Sequence, residues 1–76
     1  MAEHGAGAAR EAGPIRALRS ALHAHEQAIE IHERAADLYQ RLNHAEQAEA
    51  ELAAAARERD HRDRARVALT RLEQAG

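Results

Sequence analysis

The sequence predicts an all-α protein: an antiparallel helical hairpin with a third short helix at its C-terminal end, forming part of an oligomeric bundle. Two observations lead there. Apolar residues recur at steps of three and four from Ile15 to Leu42, which gathers them on one face of a helix. Alanine-rich sequence resumes directly after Asn43, so a second helix follows a turn too short to do anything but reverse the chain.

The first residues, MAEHGAGAAREAG, contain three glycines and no large apolar side chain after Met1. Residues 1–13 are read as a flexible arm, and 14–76 as the helical domain. Gly13-Pro14 opens the long helix, because proline is tolerated at a first helical position. From there Ile15, Leu22, Ile29 and Ala36 fall on one line, and Leu18, His25, His32 and Tyr39 on the line beside it. These eight residues are the expected interaction face. Ala21, Ala28, Ala35 and Leu42 flank it, and Ala24, Ile31 and Leu38 carry it further round. A face this wide suits a helix touched from two sides, and its alanine margin allows close approach of a neighbour. Glu30 with Arg34, and Asp37 with Arg41, are i,i+4 pairs in the favourable order. Asn43 is expected to close the helix in a left-handed conformation.

The second helix starts near His44-Ala45, with Ala45, Ala48, Leu52 and Ala55 or Ala56 as its inward stripe. Nearly every residue of RERDHRDRAR, 57–66, is charged. Glu58 with Arg62 and Asp60 with Arg64 would support an unbroken helix. Against this, Val67, Leu69 and Leu72 do not continue the line of Ala48, Leu52 and Ala55 cleanly. The phase tips the reading toward a break near Asp60-His61, with Asp60 or Asp63 capping a restart.

Size limits what such a chain does. It has 76 residues, hence one domain at most, and its 45% hydrophobic content is mostly alanine. Tyr39 is the sole aromatic and there is no cysteine, so neither a disulfide framework nor a thiolate site exists. Small scaffolds without such staples borrow stability from partners, which makes a homo-oligomer the expected state. The net charge is −2 and every basic residue is arginine, a bias that accompanies GC-rich coding. No apolar run is long enough to span a membrane and the N-terminus lacks a signal-peptide core, so the expected location is the cytoplasm.

From Ala36 to Ala55 the sequence resembles a tetratricopeptide repeat. Ala36, Tyr39, the Leu42-Asn43 turn, Ala48, Leu52 and Ala55 carry the likeness, over roughly residues 29–62. His32 stands where that family often has a large aromatic, and Asp60 where it has a closing proline. The resemblance implies a hairpin that stacks on something, since a lone repeat cannot bury its own face. The wording HERAADLYQRL is also similar to short actinobacterial helical proteins, a likeness that implies no function.

No motif for chemistry stands out. His25 and His32 lie on the apolar stripe, two turns or about 10.5 Å apart, too far to share a metal within one helix. They are expected to be seam residues, buried neutral, so that mild acid would weaken the fold. An acidic neighbour, Glu26, Glu33 or one from a partner chain, would reverse that sign. Glu26, Glu30, Glu33 and Asp37 read as a solvated face, and no nucleophile motif or phosphate loop is present. No catalytic residue, cofactor or metal is expected. The function implied is a protein–protein interaction or self-assembly module, its partner either itself or a larger helical protein. The alternative is a small regulator that contacts nucleic acid through Arg57, Arg59, Arg62, Arg64 and Arg66. Interrupting acids and the absence of stacking aromatics weigh against it.

Overall fold

Two helices account for the chain: α1, Ala2–Arg41, and α2, Ala45–Ala75. The structure, a computed structural model, describes the backbone of residues 2–75 and the side chains of residues 13–75. Pro14 lies inside α1. The helix opening expected at Gly13-Pro14 is corrected: α1 begins at Ala2 and carries Pro14 in its interior. Of the arm expected over 1–13, the side chains up to residue 12 lie outside the described ones. The two helices pack against each other as an antiparallel hairpin. No helix is long and apolar enough to cross a membrane among the described residues.

The turn closes as the sequence predicts, by a Schellman motif. Asn43 takes the left-handed conformation, with φ 60°. Its N–H donates to the Gln40 carbonyl at 3.1 Å, and the His44 N–H reaches back to the Tyr39 carbonyl at 2.8 Å. The contact that usually accompanies this motif is present too: the Tyr39 and His44 rings stack with centroids 6.2 Å apart. His44 then starts α2, its carbonyl accepting the Ala48 N–H at 3.0 Å, with Glu46 in the positive first turn.

The third helix is not there. α2 runs without interruption through 57–66 to Ala75, which corrects the break expected near Asp60-His61. The reason lies in which residues form its inner line. Leu52, counted as inward, is 44% exposed, and Ala45 and Ala56 also face outward. The seam of α2 is instead Ala48, Glu51, Ala55, Glu58, Arg62, Ala65 and Leu69, at alternating steps of three and four. Leu69 is therefore in phase, and the charged segment is one side of a continuous interface.

The core is thin. Ile29, Ala36, Ala48, Ala55 and Leu69 are its buried hydrophobic residues, and no large side chain among the described residues is fully enclosed. Ile15, Leu18, Leu22, His25, His32 and Tyr39 are half-buried along the same seam. The cross-helix pairs described below set Ile29 level with Ala55 and Ala36 level with Ala48. These layers of small residues let the helices come close.

Candidate interaction faces of the hairpin

The steps of three and four divide each helix into an inner line and two flanks, so the hairpin has a seam and two broad faces. Each differs in chemistry.

Two histidine–glutamate pairs occupy the seam. His25 donates from Nδ1 to Oε2 of Glu58 at 2.6 Å, and His32 from Nδ1 to Oε2 of Glu51 at 2.5 Å. A carboxylate only accepts, so Nδ1 carries the proton in both rings. The histidines stand seven residues apart on α1 and the glutamates seven apart on α2. The antiparallel register therefore presents both pairs at once. His61 stacks on His25, with ring centroids 5.6 Å apart. The His25 hydrogen bond holds the Glu58 carboxyl below its ordinary value of 4.5. Burial opposes that shift, and the positive charge of His25, His61 and His32 adds to it.

These contacts supply acidic neighbours that the expectation of buried neutral imidazoles did not include. His25 and His32 keep 28% and 33% of their side-chain surface and face carboxylates. The acidic neighbours come from α2. Glu26 and Glu33, the candidates on α1, bond elsewhere.

One broad face is an ion-pair ladder. Arg59 pairs with Glu33, Arg66 with Glu26 at 3.4 Å and Arg19 with Glu73 at 3.2 Å. The α1 members are seven residues apart, and so are the α2 members, in opposite order. Each pair is exposed and contributes about 0.2–1 kcal/mol. Their regular spacing fixes register more than it adds stability. Along the helix, Glu30–Arg34 and Asp37–Arg41 form the expected i,i+4 pairs. The i,i+4 partners expected for Arg62 and Glu58 choose otherwise: Arg62 bonds Asp63 at 3.0 Å, and Glu58 turns to His25.

The opposite broad face is apolar on the α1 side. Ile31, Leu38 and Leu42 are 63%, 55% and 53% exposed there. Ala17, Ala21, Ala24, Ala28 and Ala35 fill the rest of the strip. On the α2 side Arg57, Arg64 and Arg71 form a row of their own at steps of seven.

No group of three or more histidine, aspartate or glutamate side chains is placed to hold a metal among the described residues. A shallow furrow between Asp63, Arg64, Val67, Ala68 and Arg71 lies on α2 alone. The eight residues expected as the interaction face all lie along the α1 side of the seam. Sequence reasoning missed Glu51 and Glu58 because it sought apolar residues on the inner line. The signal available was their spacing of seven, which matches that of His25 and His32. Comparison of the chain with family models, with curated proteins and with solved structures finds no match.

Proposed function

We propose that this protein is a non-catalytic helical module that works by protein–protein contact, with self-assembly as its first form. One observation carries the reading. Among the described residues, six large apolar side chains are exposed, Ile31, Leu38, Leu42, Leu52, Val67 and Leu72, against two that are buried, Ile29 and Leu69. Ile15, Leu18 and Leu22 are half-buried on the seam, and a hairpin that leaves about half of its large apolar side chains exposed is a component of something larger. The likeness of Ala36–Ala55 to a tetratricopeptide hairpin supports the same reading, since such a hairpin stacks on a neighbour.

Light scattering after size exclusion, with thermal melts across a range of concentrations, tests it. The expected result is a mass above one chain and a melting temperature that rises with concentration. A single-chain mass with a concentration-independent transition would count against self-assembly. The second reading, a nucleic-acid contact, is supported by the row of Arg57, Arg64 and Arg71. It differs from the expected segment, since Arg59 and Arg66 are engaged with Glu33 and Glu26. Binding to duplex or single-stranded nucleic acid that falls steeply with salt would support it.

A further inference from the structure

We infer that the apolar strip of α1 is the contact surface of a two-fold dimer, in which the α1 helices of two copies pack antiparallel. The inference rests on the self-assembly reading and adds the surface, the partner and the orientation. Two observations carry it.

The first is the pattern of sizes along the strip. Its positions follow steps of four and three from Ala17 to Leu42, the same read in either direction. Its first half is alanine, and its large side chains lie in the second half. Laid antiparallel on a second copy, Leu42 falls over Ala17, Leu38 over Ala21 and Ile31 over Ala28. Ala24 meets Ala35 between them. Every large side chain then lies over a small one, and a two-fold axis between Ala28 and Ile31 makes each contact occur twice. A surface that fits itself under two-fold rotation is what an isologous interface requires. A parallel pairing would instead set leucine on leucine at one end and alanine on alanine at the other, leaving gaps.

The second is charge. The strip contains no ionisable residue, and Ser20 and Gln27 border its first half. The acidic residues nearby, Glu30 and Asp37, are neutralised by Arg34 and Arg41 on their own helix. No like charges are forced together by the two-fold.

The test uses the whole chain, which has no cysteine of its own. Ala17→Cys and Leu42→Cys are made singly and together, and each protein is oxidised. Within one chain the two positions are about 37 Å apart along the helix, so no internal disulfide can form. The double variant is expected to give covalent dimers, and an equal mixture of the two single variants to give the mixed dimer. Neither single variant alone should cross-link. Ile31→Glu should halve the mass seen by light scattering. Val67→Glu, on the far side of α2, should leave it unchanged. Leu38→Ala, which adds no charge, should weaken association while circular dichroism stays helical. Cross-linking by either single variant would overturn the antiparallel arrangement. An assembly that survives Ile31→Glu and fails with Val67→Glu would overturn this surface while leaving self-assembly standing. A wild-type monomer at micromolar concentration would overturn both.

Discussion

At the scale of single residues, the His25–Glu58 pair ties part of the protein's acid response to one carboxylate. Glu58 has its folded value held below the ordinary 4.5, chiefly by the hydrogen bond from His25. Between the two values the unfolded chain binds more protons than the folded one. The contribution of this group is therefore complete above about pH 4.5 and is lost as pH falls through the lower folded value. Denaturation curves from pH 3 to pH 7 should show stability falling at the acid end. Glu58→Gln should remove part of that slope, and an unchanged slope in that variant would mean that the pair is not formed in solution. His25→Leu, attractive if the ring were merely buried, is expected to destabilise, since it strips Glu58 of its donor. Asn43 gives a second residue-scale prediction. At φ 60° asparagine and glycine are tolerated, whereas a β-branched side chain costs roughly 1–2 kcal/mol. Asn43→Gly should melt close to the parent and Asn43→Val well below it.

At the scale of elements, the two helices differed in how far their sequences disclosed them. α1 was legible in its inner line, because Ile15, Leu22 and Ile29 mark the phase with large apolar side chains. The turn was legible too, since few residues other than Asn43 offer a left-handed closure. α2 was not, and the cause is chemical. Its inner line places Glu51, Glu58 and Arg62 where an apolar residue is sought, while Leu52 and Val67 point outward. Reading hydrophobicity alone therefore shifts the phase and suggests a break where the structure has none. Polar residues can hold these places because α1 offers complementary ones, His25 and His32. That is information about a pair of helices, which no window along one helix contains. Continuity of α2 has its own test. Asp63→Pro, in the middle of an exposed charged stretch, should cost about 3 kcal/mol or more. Were 60–63 a loop, the same substitution would be nearly neutral. Amide exchange over Glu58–Ala65 should likewise be slow, comparable with that over Ala48–Ala55.

At the scale of the whole molecule, the two broad faces respond to salt in different ways, and this separates the two functional readings. The ladder of Glu33–Arg59, Glu26–Arg66 and Arg19–Glu73 is exposed and electrostatic. The screening length shrinks from about 10 Å at 0.1 M salt to about 3 Å at 1 M, so the ladder should weaken over that range. Its loss lowers the stability of the hairpin by no more than about 1 kcal/mol per pair. The apolar strip of α1 carries no charge, and sodium chloride has little to screen there. Sulfate, which strengthens apolar burial, should tighten contacts made through it. Contacts made through Arg57, Arg64 and Arg71 would loosen sharply over the same range of salt. Sedimentation measured across sodium chloride and then sodium sulfate therefore decides which face carries the assembly. The expected outcome is an association nearly flat in chloride and tighter in sulfate, while the melting temperature of the hairpin drops modestly in chloride. An association that collapses with chloride would move the contact from the apolar strip to the arginine row, and would make a polyanion the better candidate for a partner.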